Sequence, residues 1–288
     1  MASLRELRRR IKSVENIQGI TKAMELISAV RFKKIDVRNK KALPYYKVLE
    51  RLISNVVSED LVSQIPLFEK REIKKELLIV VTGDRGLCGG FNSSVTKRLS
   101  AYITESKHEV VLYPIGKVGY KFVKKREWPI HDSWVGLGYA FTPDSLSAKR
   151  DEIINLFLSG EYDSIRWVTS SMERVGVQIV KFEKFLDMSY LMDLNAEADD
   201  ANNTEYIFEP NPLEVLQTLI EIFIKQRFFV LLLSSVTAEY FARMVAMKQA
   251  TDNGRDVIDS LTLQRNKVRQ AMITREISEI IGGVNALS

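Results

Sequence analysis

The sequence predicts an α/β fold with long helices: an antiparallel coiled coil of the N- and C-terminal helices, and between them a Rossmann-like open α/β domain. Three observations predict it. Leu4 to about Leu61 holds one proline, Pro44, and one glycine, Gly19. Leu213 to Ser288 holds no proline, and its glycines are Gly254, Gly282 and Gly283. Between these stretches, short apolar runs alternate with helical patterns. Helical patterns far longer than ~25 residues without internal caps point to a coiled coil, a membrane span or a repeat. The longest apolar run of the last stretch, Phe228 to Leu233, is far short of the ~18 residues a span needs. The chain therefore divides into 1–61 and 211–288, which pair, and the α/β domain 75–195.

The first helix opens with a capping box, Ser3 accepting from an N3 amide while Glu6 reaches back. Leu4, Leu7, Ile11, Val14, Ile17, Ile20, Met24, Ile27 and Val30 then form one apolar stripe. Its mean step, about 3.25, is tighter than the 3.5 of a heptad, as in an overwound supercoil. Asn211 before Pro212 reads as an N-cap and a first-turn proline. Ile273, Ile277, Ile280, Val284 and Leu287 step 4, 3, 4, 3, a heptad seam. Thr251, Asp252, Asn253 and Gly254 interrupt that stripe with polar residues. A surface helix laid on a globular core is the plainer alternative for the first stripe.

In the middle, Glu76–Thr82 reads as a buried parallel strand, followed by a glycine turn and a helix from about Asn92 to Ser106. Glu109–Tyr113 is a second strand, and Gly116 to Lys125 a short helix. Thr142 caps a helix from Pro143 to Leu158. Ser164–Thr169 and Val177–Phe182 are further strands. Such alternation argues for an open α/β sheet. Asn195 to Asn203 is polar and reads as a loop.

Composition bounds the chemistry. Cys88 is the one cysteine and His108 and His131 the two histidines, so neither an intrachain disulfide nor a cysteine-based zinc site can be built. His131, Asp132 and Ser133 are adjacent, whereas triad members converge from separated positions. The turn Gly83-Asp-Arg-Gly-Leu-Cys-Gly-Gly90 sits where a dinucleotide fold binds phosphate, but fits neither G-x-G-x-x-G nor a Walker loop. No catalytic constellation, cofactor site or metal site emerges. Charge is lopsided: up to Lys47 there are 13 basic and 4 acidic residues, a balance of +9, while the other 29 basic and 33 acidic residues give −4. An excess of that sign favours acidic partners. Because the basic residues share their helix with an apolar stripe, a rod with a basic outside is favoured over a nucleic-acid helix.

These residues resemble the gamma subunit of F-type ATP synthase over nearly the whole chain. The resemblance lies in Arg8-Arg-Arg-Ile-Lys-Ser-Val-Glu-Asn-Ile-Gln18 and Ile20-Thr-Lys-Ala-Met-Glu25, in Asp84-Arg-Gly-Leu-Cys-Gly-Gly-Phe-Asn92, and in the last helix. There Ala242-Arg-Met-Val-Ala-Met-Lys248, Ala250-Thr-Asp-Asn253, Asn266-Lys-Val-Arg-Gln-Ala271 and Ile273-Thr-Arg-Glu-Ile-Ser-Glu-Ile-Ile-Gly-Gly283 match. It implies a non-catalytic rotor shaft whose coiled coil enters a ring of alpha and beta subunits. Its α/β foot would meet the epsilon subunit and the membrane c-ring, with no cofactor and no nucleic acid as partner. The complex would sit peripherally on the cytoplasmic face of a bacterial cell membrane, rather than in a mitochondrial matrix or plastid. By position, Met24 and Arg243 resemble the pair near the beta subunit's acidic lever loop, and Gln270, Thr274 and Glu276 the upper-shaft contacts. Tyr206 and Glu209 fall where the foot meets the membrane ring, and Arg85 and Cys88 lie in the turn that approaches the beta subunit. Gly19 stands where the family commonly has lysine, and Arg255 where a small residue is common. The chain lacks the cysteine-bearing insertion of chloroplast members. The competing readings are a Rossmann-type nucleotide-binding enzyme with helical extensions and a helical nucleic-acid binder.

Overall fold

Two helices account for most of the architecture of this computed structural model, which describes residues 3–69, 71–174, 177–188, 190–191 and 208–287. α1 spans Leu4–Val56 and α6 spans Pro212–Leu287, with a short α2 (Glu59–Val62) after the first. Ser3 starts α1 as expected: its Oγ accepts from the Glu6 amide at 3.2 Å. The Glu6 carboxylate does not reach back; it accepts from Arg10 at 2.6 Å, one turn on. Asn211 caps α6, its Oδ1 accepting from the Glu214 amide at 3.0 Å. Pro44 lies inside α1 on an exposed face, where the forfeited hydrogen bond does not break the helix.

Between them lie β1 (Lys75–Val81), α3 (Phe91–Glu105), β2 (Glu109–Ile115), α4 (Lys117–Lys125), α5 (Ser147–Leu158), β3 (Ser164–Arg174) and β4 (Val177–Lys184). The sheet order is β2-β1-β3-β4, parallel except for the antiparallel β3–β4 pair. Thr142 does start the helix leading to α5: its Oγ1 accepts from the Ser145 amide, and its own amide donates to Ser145 Oγ at 2.9 Å.

The chain falls into two units, Val30–Ala242 and Met1–Ala29 with Arg243–Ser288. In the larger unit β1 is covered on both faces, as its unbroken apolar run requires. Leu77, Ile79 and Val81 face a core shared with α1, α5 and α6, while Leu78 and Val80 face α3 and α4 through Val95, Leu99 and Val123. Here α1 meets α6 antiparallel: Arg31 donates to Tyr240 Oη, Ser234 Oγ to Asn39, and Gln226 to the Ala42 carbonyl. Phe32, Ile35, Asn39, Ala42, Tyr46, Leu49 and Ile53 step 3 and 4 along this face, the heptad period of a coiled coil.

In the smaller unit the pairing is also antiparallel. Gln18 reaches the Thr251 carbonyl, the Thr21 and Thr251 hydroxyls meet at 2.9 Å, and a Cβ on Gly254 would touch Gln18 at 3.5 Å. The polar break in the last stripe is thus part of the seam. The two apolar stripes themselves need correction. Leu7 and Ile11 are buried, but Ile17, Ile20 and Ile27 are more than half exposed, and Ser28 is buried in their place. A stripe stepping 3.25 leaves a seam that keeps 3.5, so its apolar residues wander onto the outer face. Ile273, Ile277 and Ile280 are exposed for a different reason. Thr21 stands 17 residues from the start of α1, and the same number beyond Thr251 is Val268, past which α6 has no α1 to meet. The side chains of Val284 and Leu287 lie outside the described ones.

Among the described residues, no helix is long and apolar enough to cross a membrane.

Candidate functional site

The glycine turn joins β1 to α3 at the carboxyl end of the sheet, where an open α/β fold would bind a ligand. Its own side chains fill it. Asn92, from the first turn of α3, accepts from the Gly83 amide at 2.9 Å and donates to the Arg85 carbonyl at 3.3 Å and to Cys88 Sγ at 3.1 Å. Asp84 Oδ1 accepts from the amides of Lys117 and Gly136, both at 3.0 Å. At the start of α4 the Val118 amide donates to the Gly83 carbonyl and the Gly119 amide to Thr82 Oγ1. Three successive amides at the head of α4 are therefore taken by the chain itself, and the glycine turn is filled by its own Asn92 and Asp84 side chains. Gly116 adopts φ +98°, and a Cβ there would lie 2.0 Å from the Thr82 carbonyl oxygen, so the crossing tolerates only glycine.

The turn also docks on α6. Cys88 and Phe91 are buried against Ala238 and Ala242, and a Cβ on Gly83 would meet the Glu239 carboxylate at 2.7 Å. Small residues on both sides let backbone and helix approach closely. Opposite this docked side, Arg85 and Leu87 are exposed, Leu87 at φ +60°. Of the two site residues expected in the turn, Arg85 is therefore presented outward and Cys88 is part of the interior.

Met24 and Arg243 belong to the smaller unit; Met24 is half-buried and Arg243 buried. The register set by Thr21 and Thr251 places Arg243 level with Ser28 and Ala29, about one helical turn from Met24. Gln270, Thr274 and Glu276 are all exposed, and Thr274 Oγ1 donates to the Gln270 carbonyl at 3.0 Å. Glu209 is exposed. Tyr206 lies outside the described residues.

The histidine cluster comes apart. His131 Nδ1 meets Tyr162 Oη at 3.0 Å, whereas Asp132 pairs with Lys149. His108 instead joins Tyr102, Ser164 and Arg166 around Glu76, a fully buried carboxylate on β1 with partners at 2.6 to 3.1 Å. Burial, and then the bond to Glu76, push the Tyr102 phenol up to about 12. This set fastens α3 and β3 to β1. Among the described residues no group of three His, Cys, Asp or Glu is placed to hold a metal ion. Sequence reasoning missed Asn92 and Asp84 as the residues that close the turn. The available signal was an Asx side chain at either end of a glycine run, a type that bonds nearby backbone.

Comparison with known proteins decides what this arrangement belongs to. The family described as ATP synthase matches residues 3–287. The ATP synthase gamma chain of Pelotomaculum thermopropionicum is 40% identical over 287 residues, covering all of both chains. The chain belongs to the ATP synthase gamma chain family. That of Cytophaga hutchinsonii is 36% identical, again over the full length of both. In fold, the chain matches a component of the Euglena gracilis mitochondrial ATP synthase (OSCP/F1/c-ring, rotational state 3) with a TM-score of 0.66, at 16% identity, over 99% of this chain and 94% of that one.

Proposed function

We propose that this chain is the central rotor shaft of an F-type ATP synthase, coupling ion flow through a membrane ring to ATP synthesis or hydrolysis at beta subunits by rotating. It carries no catalytic role of its own. The paired ends, 1–61 and 211–288, act as the shaft and 75–195 as the foot. One observation carries the reading: the smaller unit leaves long apolar side chains uncovered on both of its helices. Ile17, Ile20, Leu26 and Ile27 on α1, and Ile273, Ile277 and Ile280 on α6, are all 48% exposed or more. Exposed apolar rows on that scale mark surfaces that a partner covers. The proposed cover is the alpha and beta subunits, with Met24, Arg243, Gln270, Thr274 and Glu276 at the contacts that couple rotation to the sites. Arg85, exposed in the turn that Cys88 anchors, faces a beta subunit. The foot meets the epsilon subunit and the c-ring, with Tyr206 and Glu209 on the ring side. The assembly is peripheral to the membrane, on the cytoplasmic face of a bacterial cell membrane.

The nucleotide-binding alternative is disfavoured because the turn that would cradle a phosphate is occupied by its own Asn92 and Asp84 side chains. A tag on this chain should recover an ATPase complex holding one copy of it, while the purified chain alone hydrolyses no ATP. Turnover by the chain alone, after removal of contaminating ATPase, would overturn the reading.

A further inference from the structure

Between β2 and α5 the chain crosses the larger unit as an extended strap, residues 134–142. It is tied to the sheet at one end and closed by a turn at the other. At one end the Trp134 amide donates to the Pro114 carbonyl at 2.9 Å, and the Gly116 amide to the Trp134 carbonyl at 2.8 Å. At the other, Thr142 and Ser145 bond each other's amides. Gly136 and Gly138, at φ +77° and +68°, let it turn so that Tyr139 and Phe141 meet arginines of α1.

The meeting is repeated. Arg31 lies over the Tyr139 ring at 5.0 Å and over the Tyr240 ring of α6 at 5.7 Å, and it donates to Tyr240 Oη at 3.3 Å. Seven residues on, Arg38 lies over the Phe141 ring at 5.5 Å and over the Phe229 ring of α6 at 5.8 Å. Its guanidinium also donates to the carbonyls of both Tyr139, at 3.0 Å, and Phe141. The rings close each rung edge-on, Tyr139 to Tyr240 at 5.9 Å and Phe141 to Phe229 at 6.0 Å. Each arginine of α1 is thus held between one ring of the strap and one ring of α6.

We propose that these two rungs are the torsional fastening between the helix pair and the sheet, with Arg31 and Arg38 as positioning residues for rotation. The inference rests on the rotor reading and goes beyond it. Apolar packing between helices is non-directional and tolerates small rotations of one surface over another. A planar guanidinium forked onto two carbonyls does not, because hydrogen bonds weaken steeply as their angles close. A single such contact would act as a pivot. Arg31, about 10 Å away along the helix, adds a second hold of another kind, through the Tyr139 and Tyr240 rings and the Tyr240 hydroxyl, and two separated holds resist turning. One end of the strap is bonded to β2 and the other leads within a few residues into α5, so a load arriving at the arginines passes to the domain.

The test uses the intact catalytic head with the alpha and beta subunits immobilised. A bead is attached to the chain through Lys97→Cys, an exposed position on α3, the native Cys88 being buried. The variance of its thermal angular fluctuations measures torsional stiffness. In the Arg31→Met, Arg38→Met double variant the variance should rise about twofold at equal amounts of assembled complex, because methionine fills the space without the charge or the fork. Arg38→Lys, which keeps the charge and loses the fork, should fall between. Wild-type variance in the double variant overturns the proposal. If the double variant does not assemble, Arg38→Lys and Tyr139→Leu decide by the same measure. A wild-type bead that never turns under ATP removes the rotor reading, and the fastening with it. A turning wild type with unaltered variants removes the fastening alone.

Discussion

Asp163 shows what one side chain does at the sheet's edge. Its Oδ2 accepts from the amides of Lys75 and Lys74, at 2.8 and 2.9 Å, and so holds the entry to β1 beside β3. The Lys75 bond, opposed by burial and seconded by Lys74, holds the carboxyl below its usual range. The folded state therefore binds this proton less readily than the unfolded state. The stability it contributes is present above the unfolded value, near 3.9, and is lost as pH falls through the depressed one. Asp163→Asn should lower stability at pH 7 by about 1 kcal/mol, the worth of charge-assisted bonds at a partly exposed site. Denaturant melts of the isolated chain should show that gap shrinking below about pH 4, as wild type loses the advantage. A gap that stays constant down to pH 3 would show that the charge is not the cause.

At the scale of elements, the sequence was most legible where a pattern is local. Strand positions, the Asn211 cap and the Thr142 start follow from apolar runs and capping residues, whose physics is confined to a few neighbours. What could not be read locally was which face of a long helix is covered. On α1 the apolar residues Ile17, Ile20 and Ile27 point outward while Gln18, Thr21 and Ser28 keep the heptad, because the partner segment around Thr251 to Gly254 is itself polar and small. The turn was only partly legible for a similar reason: glycines announce a bend, but only the distant Lys117 and Gly136 amides reveal that Asp84 occupies it. The end of α6 makes the point testable. Residues 271–282 are exposed throughout and lie beyond the reach of α1. A helix without a buried face is held by propensity alone and opens readily. Hydrogen exchange on the isolated chain should find these amides exchanging well before those of residues 220–240. Assembly with partner subunits should protect them. Equal protection of both stretches in the isolated chain would contradict the unpaired end.

At the scale of the molecule, the two units hold very different interiors. The larger contains the continuous core that runs from Ile35 and Ile53 through Trp167 and Phe185 to Phe228 and Leu233. In the smaller, the buried side chains are few: Leu7, Ile11, Ser28, Arg243, Met247 and Thr251 among those described. Stability follows buried apolar surface, so the paired ends should open at a lower free energy than the sheet domain. Tryptophan reports on one unit only, since Trp128, Trp134 and Trp167 all lie between Val30 and Ala242. Far-ultraviolet circular dichroism reports on both, with the smaller unit contributing helix alone. Thermal unfolding of the isolated chain should therefore show a first loss of helical signal while tryptophan fluorescence is unchanged, and a second transition in which both change. Removing one methyl-rich contact by Leu7→Ala should move the first transition downward, by about 2–5 kcal/mol of local stability at most, and leave the second in place. Coincident transitions by the two probes would mean that the chain unfolds as one cooperative body, and that the thin seam of the smaller unit is far stronger than its buried surface implies.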